Sequence, residues 1–346
     1  MEAGCLTESS PLLTVAIPTW NRAVFLAQTL EQLRRESVAT LPGAVEVLVS
    51  DNCSQDETLD VVQAAQAAGL GIRCVRNSEN IGSDANIAQC FNLAQGKYVL
   101  ILGDDDLFVD GALSWLLDRL GRIDYGVACM RPYGFEKDFR KEYPGGAGED
   151  REFCDGGAFL SAIGSLVTLI SSCVINKSLL PGVDARAFCG GNLVQVHLVI
   201  RAALLAKANL FANRYLMACK RNNSGGYDFS RVFVEELGRI LDSYQSMGLT
   251  PASIRAFETR LLVGYYPFYL FRQRLARQGD LAATYRRFSI RFSNRLLFLF
   301  WVAPILRLPR PLAILWGAVV TVVGRIASGD LRRGAVFAWN RIRGRA

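Results

Sequence analysis

The chain has 346 residues, of which 51% are apolar, enough to bury a sizeable core and too many for an intrinsically disordered protein. Its net charge of +7 is uneven: from residue 251 onward there are 17 arginines, no lysine and three acids (Glu258, Asp280, Asp330), so this part carries +14 and the first 250 residues −7. The nine cysteines are scattered, with no CxxC pair and no zinc spacing, which fits reduced core thiols in a reducing compartment.

In chain order, strand and helix patterns alternate over the first 130 residues. Thr14–Ile17 is a short apolar strand, and 21–36 follows as a helix with Phe25, Thr29, Leu30 and Leu33 on one face. Val45–Ser50 predicts a second strand, Asp56–Ala68 a second helix, and Ile72–Val75 a third strand. Ser83–Gln95 predicts a third helix, closed by Gly96 as a C-cap glycine. Tyr98–Leu102 is a continuous apolar run, as expected for a strand buried on both faces. Such alternation with short links predicts an α/β fold with a mostly parallel sheet covered by helices. Further on, 166–175 reads as a buried strand, 192–208 as a helix and 210–219 as a strand. The polar stretch 221–226 is the expected boundary between a first domain, 1–225, and a basic helical region, 226–346.

In that last region two apolar runs, 296–306 and 312–324, are interrupted by Pro304, Pro309 and Pro311, and each falls short of the roughly 20 residues that span a bilayer. Arg307, Arg310 and Arg325 flank them, and Trp301, Trp316 and Trp339 lie in or near them. Arginines beside apolar runs with boundary aromatics suit helices lying in a headgroup layer, so a membrane surface is the expected partner. No nucleic-acid-binding module accompanies the arginines, and nucleic acid is not expected as a partner. The N-terminus has no basic region followed by an apolar run, which predicts no signal peptide and a cytoplasmic protein at the inner membrane face.

The chemistry is concentrated after the fourth strand. Asp104, Asp105 and Asp106 are three consecutive carboxylates, costly to gather without a cation. At the carboxyl end of a central parallel strand they sit where open α/β sheets bind ligands. Hard oxygen ligands favour Mg²⁺ or Mn²⁺, ions that also bind diphosphates. Asp51 ends the second strand, the segment Pro18–Arg22 ends the first, and 80–86 precedes the third helix with amides able to face an anion. Four strand ends thus carry polar groups that could converge.

The stretches "TVAIPTWNR", "VEVLVSDNCSQDET" and "NSENIGSDANIAQCFNLAQGKYVLILGDDD" resemble the nucleotide-binding half of family 2 inverting glycosyltransferases, over about a third of the chain. The "NIGSDANI" and "LGDDD" forms are most similar to the bacterial abequosyltransferase-like subgroup, which builds O-antigen-type surface polysaccharides. The resemblance implies a GT-A-type fold with a C-terminal membrane-associated appendage. It implies a nucleoside-diphosphate-sugar donor and inverting transfer to an acceptor, with a lipid-linked saccharide as the expected acceptor. Pro18 and Thr19 would line the base pocket, beside Asn21 and Arg22. Asp51 would accept from the base ring, and Asn80, Gly82 and Asn86 would lie near ribose or diphosphate. Asp104 would contact the nucleotide, and the metal would sit on Asp105 and Asp106, or one residue earlier on Asp104. Arg221 would reach diphosphate or acceptor.

The family's usual acid for deprotonating the acceptor has no counterpart in 188–197. His197, the chain's one histidine, and Asp184 are the local alternatives. A dinucleotide oxidoreductase or a nucleotidyltransferase would need a glycine-rich loop after the first strand, where "PTWNRAVF" has none. A non-catalytic sugar-nucleotide- or polysaccharide-binding protein of the same fold is the competing reading.

Overall fold

A computed structural model describes residues 10–38, 43–146, 148–221 and 226–327. Nine strands form one mixed sheet: β1 (Leu13–Thr19), β2 (Val45–Asp51), β3 (Ile72–Arg76), β4 (Tyr98–Ile101), β5 (Leu107–Phe108), β6 (Val127–Phe135), β7 (Arg151–Phe153), β8 (Cys173–Asn176) and β9 (Asn209–Lys220). The strand order is β3-β2-β1-β4-β8-β6-β9-β5, with β7 on β9. The first four strands are parallel, so their carboxyl ends share one edge. β8 runs antiparallel to both β4 and β6.

The helices of the first part are α1 (Ala23–Ser37), α2 (Thr58–Ala67), α3 (Ser83–Leu93), α4 (Ala112–Arg122), α5 (Gly156–Ile163) and α6 (Val194–Leu205). Those that follow are α7 (Leu237–Ser243), α8 (Pro251–Arg260), α9 (Tyr266–Ala276), α10 (Leu281–Phe292), α11 (Ala303–Arg307) and α12 (Arg310–Ala327). On one face of the sheet Leu26, Leu30, Leu113 and Leu116 of α1 and α4 cover Val15, Val49 and Leu100. On the other a single apolar cluster runs from Ala16, Val99 and Val127 of the sheet through α3, α5 and α6 to Phe288, Phe298 and Val320 in the C-terminal helices. The helical region therefore shares its core with the sheet. The expected boundary falls mostly on 222–225, outside the described residues.

Three expectations are corrected. The strand anticipated over 166–175 is only β8; Gly164–Thr168 and Ile170–Ser172 form 3-10 turns instead. Hydroxyls that bond to nearby main chain compete with sheet pairing there: the Thr168 hydroxyl donates to the Ser165 carbonyl. Gly96 does not cap α3, which ends at Leu93 with Ala94 as its cap. Gly96 is instead a point of close approach, where a Cβ would lie 2.5 Å from the Thr14 nitrogen. The second C-terminal apolar run belongs to an 18-residue helix, α12, long and apolar enough to cross a membrane by length and composition.

Candidate donor and metal site at the parallel strand ends

β1 and β2 finish side by side, with Thr19 opposite Asp51 in the register. The Thr19 hydroxyl donates to Asp104 Oδ2 at 2.8 Å, tying the end of β1 to the acidic loop after β4. Arg22 lies between two of the acids, its Nη2 donating to Asp105 Oδ2 at 2.7 Å and its Nε 3.2 Å from Asp104 Oδ1. Asn21 adopts φ 53°, a left-handed geometry that asparagine tolerates, and its side chain accepts from the Gln55 N–H at 2.7 Å. Pro18 is half-buried in β1.

Asp104 and Asp106 are buried. Burial pushes the Asp104 carboxyl up to about 6, against the lowering effect of Arg22. Burial, with the Asp105 charge second, pushes Asp106 up to about 7. Asp106 is nonetheless fixed in place: Ser171 Oγ donates to its Oδ2 at 2.5 Å and the Lys220 N–H to its Oδ1 at 3.1 Å. Ser171 in turn accepts from the Gly103 N–H at 2.9 Å.

Gly103 itself shows where these acids converge. A Cβ there would lie 3.2 Å from both Asp105 Oδ1 and Asp106 Oδ2, and 3.4 Å from Ser171 Oγ. Among the described residues no group of three or more His, Cys, Asp or Glu side chains forms a complete metal cage. The carboxylate oxygens of Asp105 and Asp106 are nonetheless the hard donors that Mg²⁺ takes, one or two from protein with phosphate and water filling its shell.

Asp51 is fully buried. Its Oδ1 accepts from the Ser54 N–H at 2.9 Å, whereas its Oδ2 has no hydrogen-bond donor among the described residues and lies 3.5 Å from Arg76 Nε. A buried acceptor without a donor costs free energy unless a ligand supplies one. Asn52 joins the next two strand ends, with Nδ2 donating to Asn80 Oδ1 at 2.7 Å and Oδ1 accepting from the Ile81 N–H at 3.0 Å. Gly82, at φ 86°, is the N-cap of α3. Asn86 is turned inward: it accepts from Ser50 Oγ at 2.6 Å and donates to the Ser50 carbonyl at 3.0 Å, so both ends of its amide fasten α3 to β2.

The remaining sequence candidates lie apart from this hydrogen-bonded cluster. His197, on α6, stacks on Phe188 at 4.5 Å, and its Nδ1 is 2.9 Å from the Tyr244 hydroxyl. Burial, then the Arg201 charge, pushes it down to about 4. Asp184 is exposed and caps the 3-10 turn Ala185–Phe188 by accepting from the Arg186 N–H at 2.9 Å. That bond, followed by one from Asn92, lowers its carboxyl below the usual range. The Arg221 guanidinium lies 3.7 Å from Glu142.

Sequence reasoning missed several groups. The Thr29 hydroxyl donates to the Asp104 carbonyl at 2.9 Å; a threonine on the apolar face of α1 was the available signal. Ser171 and Lys220 come from distant segments and left none. Nor did the turn at 190–192 reveal its acids: the Gly190 and Asn192 N–H groups donate to Asp84 at 2.8 and 2.9 Å, and a Cβ at Gly191 would be 3.8 Å from Glu236 Oε2.

Residues 14–167 match the family described as Glycosyl transferase family 2. This segment belongs to glycosyl transferase family 2. Over 110 residues the chain is 34% identical to the GalNAc(5)-diNAcBac-PP-undecaprenol beta-1,3-glucosyltransferase of Campylobacter jejuni, covering 32% of this chain and 34% of that one. It is 32% identical over 106 residues to the abequosyltransferase RfbV of Salmonella typhimurium, covering 30% of this chain and 31% of that one. The match thus spans about a third of the length of these relatives. Over nearly the whole chain, 91% of each, the fold is similar to that of S. aureus TarS 1-349 in complex with UDP, at a TM-score of 0.61 and 16% identity. The family 2 domain thus lies within a GT-A-type architecture: a mostly parallel, mixed sheet flanked by helices, followed by a helical C-terminal region.

Proposed function

We propose that the chain transfers a sugar, with inversion, from a nucleoside-diphosphate sugar to a hydroxyl of a growing bacterial surface glycan carried on a lipid. The observation that carries this reading is the convergence at one sheet edge of a buried acceptor lacking a donor, Asp51 Oδ2, with two buried carboxyls of raised pKa, Asp104 and Asp106. Asp51 accepts a ring N–H of the base, in a pocket bounded by Pro18 and Thr19. Trp20, half exposed just beyond β1, offers a face on which the base can stack. Asn80, Gly82 and the first turn of α3 border the ribose and diphosphate, with Asn21 and Asn86 holding this rim in shape. Arg22 holds Asp104 and Asp105 in place before the donor arrives.

Asp105 and Asp106 would hold Mg²⁺ or Mn²⁺, with Asp104 beside them. When bound, the ion supplies neutralisation of the charge that gathers on the departing diphosphate. For the group that takes the acceptor proton, the sequence candidates gain no support. His197 is held between aromatic rings and made less basic, and Asp184 is committed to a cap. Arg221, paired toward Glu142, borders the acceptor side. The undecaprenol-linked substrate in the name of the Campylobacter jejuni relative supports a lipid-linked acceptor and a working position at the cytoplasmic membrane face.

Calorimetric titration with UDP, CDP, GDP and dTDP, with and without Mn²⁺, tests the reading. One diphosphate should bind in a metal-dependent way, and Asp106→Ala should abolish that dependence. Binding of none of the four under either condition would make the Asp104–Asp106 cluster structural and favour a polysaccharide-binding protein or an inactive enzyme.

A further inference from the structure

The outer face of α12 is apolar and open. Leu312, Leu315, Val319, Val322, Val323 and Ile326 are all exposed, Leu315 by 65% and Leu312 by 54%. At 100° per residue these positions form one stripe roughly 100° wide. The opposite face is the seat of the helix: Ala313, Gly317, Val320 and Gly324 are buried. A Cβ at Gly324 would lie 2.3 Å from the Val263 carbonyl oxygen, and one at Gly317 would lie 2.9 Å from the Phe271 ring. The helix is therefore held against the protein from Ala313 to Gly324, with close approaches at Gly317 and Gly324. Crossing a bilayer would strip that face from its partners, whereas lying flat would not.

The surrounding charge is of one sign. Between 259 and 327 there are eleven arginines and one acid, Asp280. The arginines deeper in the bundle have carboxylate partners: Arg287 pairs with Asp228, and Arg291 and Arg295 with Glu258. Those at the N-terminal end of α12 meet other groups. Arg307 reaches the Tyr285 hydroxyl at 3.4 Å, and Arg310 reaches the carbonyls of Arg274 and Leu275 at 3.2 Å. Leu296 and Phe300, on the adjoining segment, are exposed by 71% and 70%.

We infer that α12 docks flat on an anionic lipid surface, with the stripe from Leu312 to Ile326 in the acyl–headgroup boundary and Arg307 and Arg310 on lipid phosphates. This rests on the membrane-face part of the function proposed above and sharpens it to named residues and an in-plane orientation. Other occupants of the stripe, a second copy or residues 328–346, would cover it and leave no lipid affinity.

The test is sedimentation of the full chain with vesicles of phosphatidylcholine, alone or with phosphatidylglycerol. Wild type should bind the mixed vesicles and be released by alkaline carbonate. Leu315→Glu/Val322→Glu, at two exposed positions, should weaken binding about tenfold or more. Arg307→Gln/Arg310→Gln should remove most of the preference for phosphatidylglycerol. Circular dichroism melts should match wild type for both variants. The inference is overturned by absence of wild-type binding, by wild-type affinity in the Glu variant, by retention through carbonate, or by a light-scattering dimer that the Glu variant dissociates. Nucleotide titration of the same samples keeps the two proposals separate, because loss of the donor reading leaves vesicle binding unchanged and the reverse also holds.

Discussion

The strand-end crevice and the C-terminal helices handle charge in opposite ways. At the crevice, carboxylates are drawn out of water, and burial raises Asp104 to about 6 and Asp106 to about 7. In the helices, arginines within the bundle are paired with carboxylates, and those at the start of α12 lie at the surface near an uncovered apolar stripe. A buried, incompletely compensated acid is costly to folding and persists where a ligand later satisfies it. An exposed arginine costs little and acts on whatever large surface approaches. On the functions proposed above, one region would take a small, highly charged ligand and the other an extended partner.

The sharpest way to break this contrast is Asp106→Asn, which keeps the shape and removes the charge. Transfer should fall about a hundredfold or more, with the melting temperature unchanged or raised. A fall in stability with transfer retained would make the acids structural.

His197 gives the next largest effect. The folded state keeps its imidazole neutral down to about pH 4, whereas the unfolded chain takes a proton below about 6.5. The stability contributed by the neutral form is thus complete above pH 6.5 and is lost as pH falls toward 4. In His197→Phe this window should vanish from urea denaturation curves, and transfer at neutral pH should persist. Loss of transfer with stability retained would restore His197 as a catalytic group.

Asp51→Asn should weaken nucleotide binding by about tenfold, with and without metal alike, because it alters the base contact and not the acidic loop. A loss seen only in the presence of metal would couple the two ends of the crevice. Thr29→Val should have the smallest effect, about 1 kcal/mol of stability by denaturation, since it removes one buried donor from the Asp104 carbonyl. A neutral result would show that Thr19, Arg22 and Ser171 hold the loop without it.

How much of this could be read in the sequence follows the same division. β1 to β4 and α1 to α3 were legible because period and length distinguish strand from helix locally, and Asp51 and Asp104 to Asp106 because each follows an apolar strand directly. Ser171, Lys220 and Asp84 were not, because their roles depend on segments about 65 to 115 residues apart in the chain. Gly96 misled because a glycine after a helix pattern looks the same whether it caps a helix or admits a neighbouring strand. For α12 composition announced an amphipathic character, but the division between a small inner face and a large outer one emerges only from the packing of Gly317 and Gly324.

The apolar cluster that runs without a break from Val99 and Val127 to Phe288, Phe298 and Val320 has a consequence for how the chain folds and ages. Among the described residues the sheet and the last six helices share this one cluster, so the two parts are expected to melt together. Removing everything after 225 would uncover Phe159, Val194 and their neighbours to water. A lesion in a distant C-terminal helix is then expected to reach the strand-end crevice as a loss of folded protein.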